Sequence, residues 1–207
     1  MQALNVSEIE AARERLTEVR RQVSRVYIGD MNAVDLMIVA LLARGHVLLE
    51  GVPGIAKTTL VKAFAITLGS TIRRVQFTPD LLPADITGTD VLNPKDGTFS
   101  LRAGPIFANV LLADEINRAP AKTQSALLEA MQDRQVPIEG ATIQLPRPLL
   151  SVATKNPLDL DGRCPLAAAG LGRFMRRALS VYSPPPTLGR LRGGSPRPAL
   201  QPTRLPG

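Results

Sequence analysis

The stretch HVLLEGVPGIAKTTLVKAFAITLG, residues 46–69, holds three elements in succession. His46–Glu50 is a short apolar run that ends at a glycine, the pattern of a buried strand. Gly51–Ala56 is a glycine-bearing loop, and Lys57–Leu68 reads as a helix ended by Gly69. GVPGIAKT at 51–58 follows the spacing G-x-x-x-x-G-K-[ST] between strand and helix. The physics of that spacing is specific. Main-chain N–H groups of a tight loop point inward at phosphate oxygens, and the helix start adds partial positive charge. The Lys57 ammonium would reach the terminal phosphates, and the Thr58 hydroxyl would ligate a magnesium ion that shields them. Gly51, Val52, Pro53, Gly54, Ile55, Ala56, Lys57, Thr58 and Thr59 are therefore the candidate nucleotide contacts, for ATP with Mg2+. Ala56 stands where glycine is usual, which a methyl group permits only if the backbone keeps negative φ.

Outward from this unit the chain alternates strand and helix patterns. Upstream, Ser7–Glu10 has the form of a capping box, and Ile9, Ala12, Leu16, Val19, Val23 and Val26 make one apolar stripe, predicting a helix over about 8–26. A second helix is predicted over about 32–44, apolar almost all round and hence buried. Downstream, strands are predicted at Arg73–Phe77, Asn109–Ala113, Leu149–Thr154 and Ala178–Tyr182. A hairpin is predicted over 135–145 about Gly140-Ala141, and a helix from Pro120 to about Arg134. Residues 78–107 read as a long connection without a helix, which usually signals function. Strands alternating with helices indicate an α/β fold with a parallel sheet covered on both faces.

Composition sets the limits. The chain has 207 residues, one cysteine, one histidine, no tryptophan and 3% aromatics. A disulfide framework, a multi-cysteine zinc site, a His-rich metal site and an aromatic base-stacking platform are thereby excluded. No apolar run reaches 18 residues and no signal sequence opens the chain, so a cytoplasmic protein without a membrane span is expected. The net charge is +7, but residues 1–161 carry 17 basic and 18 acidic side chains; the excess lies in eight later arginines. A neutral body speaks against nucleic-acid binding. From Ser183 the run contains seven prolines, four glycines and four arginines without periodicity, and is expected to be disordered. The expected organisation is an N-terminal helix over 1–30, a nucleotide-binding core over 31–182 and a Pro/Arg/Gly-rich tail over 183–207.

Three further positions carry chemistry. Four apolar residues, Val110–Ala113, run into Asp114-Glu115, like the Walker B element of P-loop ATPases. Asp114 at the end of a buried strand could hold Mg2+, and Glu115 could polarise an attacking water. Asn156 follows the strand Leu149–Thr154 and either sits beside a γ-phosphate or starts an Asn-Pro turn. Arg173, in Leu171–Phe174, is either an arginine offered to a neighbouring subunit's nucleotide or one of several surface arginines.

Taken together these segments resemble the MoxR family of AAA+ ATPases, from about Val26 to Tyr182. The resemblance rests on LLEGVPGIAKT at 48–58, QFTPDLLPADITGTDV at 76–91, GPIFANVLLADEINRAPAKTQSALLEAMQDRQV at 104–136 and ATKNP at 153–157. Alanine before the lysine is usual in that family, which accounts for Ala56. The resemblance implies an αβα P-loop NTPase core with a five-stranded parallel sheet, a ring (usually a hexamer) with ATP between subunits, and a chaperone-like ATPase. Such ATPases often pair with von Willebrand factor A domain proteins, in metal-cofactor insertion or complex assembly. It implies Glu115, Lys57, Asn156 and Arg173 as catalytic residues, and Thr58 and Asp114 as magnesium ligands. Pro165–Phe174 reads PLAAAGLGRF where the family has PLPEAxLDRF, and beyond Tyr182 a Pro/Arg/Gly-rich run stands where a helical lid is expected. A truncated or frame-shifted product is therefore expected. Two rivals follow: a catalytically weak scaffold or inhibitory ring subunit, and a nucleic-acid-dependent motor, which the neutral body disfavours.

Overall fold

The computed structural model describes residues 5–50, 57–155, 172, 174 and 176–179. Its centre is a five-stranded, wholly parallel sheet made of β1 (Val47–Glu50), β2 (Ile72–Gln76), β5 (Val110–Asp114), β8 (Leu150–Lys155) and β9 (Arg176–Leu179), in the order β2-β5-β8-β1-β9. The last strand lies two residues earlier than the sequence pattern predicts. Parallel strands require crossovers, and right-handed crossovers place helices on the faces of the sheet.

Strand side chains alternate between two cores. Val47, Leu49, Val110, Leu112, Leu150 and Val152 face a cluster completed by α1 (Val6–Ser24), α2 (Met31–Leu42) and α3 (Lys57–Thr67). Leu48, Leu111, Ala113 and Ala153 face the opposite cluster, which includes α5 (Ala121–Asp133). Each leucine so enclosed contributes about 1.5–3 kcal/mol. That is why these strands read as unbroken apolar runs.

Two corrections concern the first helices. The capping box that forms is Asn5 with Glu8, not Ser7 with Glu10: Asn5 Oδ1 accepts from Glu8 N–H at 2.9 Å, and Asn5 N–H donates to Glu8 Oε2 at 2.8 Å. Both spacings satisfy the motif; starting at Asn5 adds helical hydrogen bonds ahead of Ser7. Only the second half of the apolar stripe is buried, at Val19 and Val23, while Ile9 is 53% exposed. The second helix is not buried all round either, with Val39 and Leu42 left 55% and 64% exposed.

A third correction lies in 78–107, which is not structureless. It contains a one-turn helix α4 (Pro83–Thr87) and an antiparallel ribbon of β3 (Gly88–Leu92) and β4 (Phe99–Ala103). The turn signals mark the ribbon's tip, where Asn93 N–H donates to Thr98 O and Gly97 N–H to Asn93 O. At its base Gly88 has φ 90°, and a Cβ there would strike the Arg102 carbonyl. A second ribbon, β6 (Gln135–Ile138) with β7 (Ala141–Gln144), turns at Glu139-Gly140, one residue before the predicted pair.

His46 sits buried before β1. Ser151 N–H donates to its Nδ1 at 3.1 Å, so Nε2 carries the proton and donates to the Met131 carbonyl at 3.1 Å. Burial, and secondarily the Arg134 charge, hold its pKa below the ordinary 6.5, against the Met131 bond. The unfolded chain therefore binds a proton that the folded chain refuses. Stability should be fully present above pH ~6.5 and decline as pH falls from there toward the folded value. Urea midpoints measured from neutral to mildly acidic pH should slope more steeply for the wild type than for His46→Gln; parallel slopes would remove His46 as the cause.

Candidate functional site

In a parallel sheet all strands end at the same edge, and ligands of such folds gather there. Here that edge presents Gln76, Asp114, Thr154-Lys155 and Glu50 in lateral order, because Gln76 pairs with Asp114 and Glu50 with Lys155. Lys57 opens α3 and Glu115 follows β5. Buried β8 strand residues bring the hydroxyl of Thr154 between the two acids. It donates to Asp114 Oδ1 and accepts from Glu115 N–H at 2.9 Å.

The acids are also held from the other side. Arg74 Nη2 donates to Asp114 Oδ2 at 2.7 Å and to Gln76 Oε1 at 2.8 Å. Gln76 Nε2 donates to Glu115 Oε2 at 2.8 Å, and Arg118 Nη1 donates to the same oxygen at 3.0 Å. Arg74, Gln76, Glu115, Thr154 and Asp114 thus close a ring of hydrogen bonds. Among the described residues both side-chain contacts to the Glu115 carboxylate fall on Oε2. Glu115 itself has φ 57°, a left-handed backbone that an L-residue adopts rarely and that clusters at functional sites.

Lys57 is half-buried. Desolvation lowers its pKa, opposed by the charges of Asp114, Glu115 and Glu50. Glu50 is buried beside Lys155, whose Nζ lies 3.7 Å from Oε1. Four cations (Lys57, Arg74, Arg118 and Lys155) therefore meet three carboxylates at this edge. Such a site suits a polyanion accompanied by a divalent cation. The oxygen donors that would suit magnesium at this edge are the carboxylate of Asp114 at the end of β5 and the hydroxyl of Thr58 in the first turn of α3. Magnesium is ordinarily held by one or two carboxylates together with substrate phosphates.

Of the residues singled out from sequence, the structure brings Lys57, Asp114 and Glu115 into one electrostatic cluster and sets Thr58 and Thr59 in the first turn of α3. Gly51, Val52, Pro53, Gly54, Ile55, Ala56, Asn156 and Arg173 lie outside the described residues. Sequence reasoning missed Arg74, Gln76, Arg118, Glu50 and Thr154. Thr154 had a signal, as a hydroxyl at the end of a recognised strand. Arg74 and Gln76 needed the pairing of β2 with β5.

A parallel sheet layered by helices, with a lysine-led helix after one strand and paired acids ending another, defines a P-loop NTPase-type αβα domain. The family model described as "ATPase family associated with various cellular activities (AAA)" matches residues 46–176. The chain is 51% identical to the chaperone MoxR1 of Mycobacterium tuberculosis, over 79% of this chain and 44% of that protein. It is 50% identical to the protein YeaC of Bacillus subtilis, over 77% of this chain and 50% of that one. The crystal structure of a candidate ATPase from Cytophaga hutchinsonii superposes with a TM-score of 0.74 at 40% identity, covering 89% of this chain and 58% of that chain. The chain belongs to the AAA family of ATPases, on its MoxR branch. It spans about half the length of the curated relatives it matches. Among the described residues no helix is long and apolar enough to cross a membrane.

Proposed function

We propose that this chain binds ATP with magnesium at the carboxyl edge of its sheet and hydrolyses the γ-phosphate, driving chaperone-like remodelling of partner proteins. What supports the reading is that Lys57 opens the helix that follows β1 while Asp114 ends β5 with Glu115 next to it, so that the charges of both acids act on the Lys57 ammonium. On the motif GVPGIAKT, main-chain N–H groups of residues 51–56 would cradle the phosphates, and Lys57 would neutralise the terminal ones. Thr58 and Asp114 are the oxygen donors that would hold magnesium, which supplies charge neutralisation on the phosphate oxygens when bound. Thr154 and Arg74 fix the Asp114 carboxylate. Glu115, tethered through Oε2, uses Oε1 to accept the proton of a water that attacks phosphorus as the bond to the leaving ADP oxygen breaks. On the same reading Asn156 helps place that water and Arg173 reaches a neighbouring subunit's nucleotide. The assembly is a ring, usually hexameric, and a von Willebrand factor A domain protein is the proposed companion in metal-cofactor insertion or complex assembly.

A fluorescent ATP analogue titrated against the full chain, with magnesium and again with a chelator, tests the site. Saturable binding that weakens at least tenfold without magnesium is expected, since one lost charge-assisted contact set costs about 1.4 kcal/mol or more. Binding that does not saturate, or that ignores magnesium, would refute the proposal.

A further inference from the structure

At the opposite edge of the sheet, where β1 and β8 begin, lies a cavity of about 330 Å³ lined by Leu41, Leu42, Arg44, Arg134, Arg147 and Leu149 among others. This is the size range of ligand-binding clefts. Three guanidinium-bearing residues reach it from three different elements: Arg44 from just beyond α2, Arg134 from the end of α5, and Arg147 from the loop before β8. Among the described residues no carboxylate lines it. In a body with 17 basic and 18 acidic side chains over residues 1–161, that is a local concentration of one sign.

The backbone shows that two of these arginines occupy unusual positions. Arg44 has φ 55° and Arg134 φ 54°. Arg44 lies at the left-handed position of a Schellman-type helix end: its N–H donates to Leu41 O at 3.2 Å, and Gly45 N–H donates to Ala40 O at 2.7 Å. Arg134 caps α5, its N–H on Ala130 O at 2.9 Å. Glycine or asparagine is the ordinary residue at such positions. Arginine at both loses that conformational ease and gains two forks beside one cavity. Arg134 Nη2 also donates to the Arg44 carbonyl at 2.9 Å, which ties the two helix ends together and leaves further guanidinium donors of Arg134 for a ligand. Among the described residues neither Arg44 nor Arg147 has a carboxylate partner.

We infer that this cavity docks an acidic segment of a partner protein in which carboxylates alternate with leucine-type side chains, the carboxylates received by Arg44, Arg134 and Arg147 and an aliphatic side chain by Leu41 and Leu42. Charge complementarity selects the carboxylates: planar guanidinium forks match them in pairs. The apolar floor selects the aliphatic side chain, since Leu42 is 64% exposed beside the cavity. A free phosphate would leave most of this volume and all of that floor unused. Nucleic acid would need a basic track continuing beyond the cavity and stacking aromatics, and the described lining residues include no aromatic. The site is separate from the nucleotide edge, because parallel strands put their beginnings and ends on opposite sides of the sheet.

The test is anisotropy of a fluorescein-labelled peptide of alternating leucine and glutamate, titrated with the full chain, its Arg147→Glu variant and its Arg44→Asn variant. Asparagine tolerates the left-handed backbone, and both arginines are exposed, so unchanged melting and unchanged ATP-analogue binding are the folding controls. Each variant should weaken the peptide about tenfold or more, the loss of one charge-assisted pair. A leucine-glutamine peptide should bind as weakly as the variants do, and raised salt should weaken the glutamate peptide. Equal binding by wild type and both variants, or by both peptides, would overturn the inference. A single-stranded oligonucleotide that binds tighter than the peptide would reassign the cavity to nucleic acid. Displacement of the peptide by dilute inorganic phosphate would reassign it to a simple oxyanion.

Discussion

Lys57→Ala should weaken the binding of an ATP analogue by about 2–5 kcal/mol, roughly thirtyfold to several-thousandfold in Kd. The effect is large for two reasons. The ammonium sits in the combined field of the three carboxylates Asp114, Glu115 and Glu50, whose charges act on it directly. Without it those carboxylates repel the incoming phosphates as well as losing a partner. Lys57→Arg is the instructive second variant, because it keeps the charge but replaces a compact ammonium by a broad fork beside a half-buried helix start. Partial recovery of affinity would assign the loss to charge. Equal binding by wild type and Lys57→Ala would remove the nucleotide from this edge.

Glu115→Gln should leave nucleotide affinity within a few-fold and lower steady-state phosphate release by about a hundredfold to ten-thousandfold, the usual span for losing a positioned general base. Glutamine keeps the length of the side chain and can still accept from Gln76 and Arg118 through its amide oxygen. The left-handed backbone at 115 is no harder for glutamine than for glutamate, so melting should be unchanged. If turnover persists, the base lies elsewhere. If both proteins bind ATP but neither releases phosphate, the chain is a binding subunit without turnover.

The sheet was legible in the sequence because its three central strands, β1, β5 and β8, are buried on both faces. Val47-Leu48-Leu49 and Val110–Ala113 are apolar without interruption, which only a doubly covered strand requires. The β3–β4 ribbon was not legible, for the converse reason. Val91, Leu92, Phe99 and Leu101 are all exposed; TDVL shows no alternation, and FSLRA alternates over only five residues with no buried face to set it apart. The α4 turn is too short to display a period. At the site, Lys57 and Asp114-Glu115 carry their own local spacing signals. Arg74 and Gln76 carry none, because their importance comes from register: β2 pairs with β5 so that Gln76 lies beside Asp114 and Arg74 reaches Asp114 across 40 positions of chain, and no local pattern encodes that. The exposed half of α1 has the same lesson in reverse. Its stripe continues at helical spacing past the point where any neighbour covers it, so periodicity located the helix but overstated its contacts.

The hydroxyl of Thr154 has a single proton, and it is committed to Asp114; one of its two lone pairs is committed to the peptide N–H of Glu115. The two acids are therefore geared to each other through one oxygen atom. When Asp114 is drawn toward a cation, Thr154 must either follow, pulling the amide at 115 with it, or release one of them. Strand β8 lies between β5 and β1, so this gear also sits between the acids and the helix that begins at Lys57. Any movement of the Asp114 carboxylate would therefore be passed to the main chain at Glu115 through that one hydroxyl.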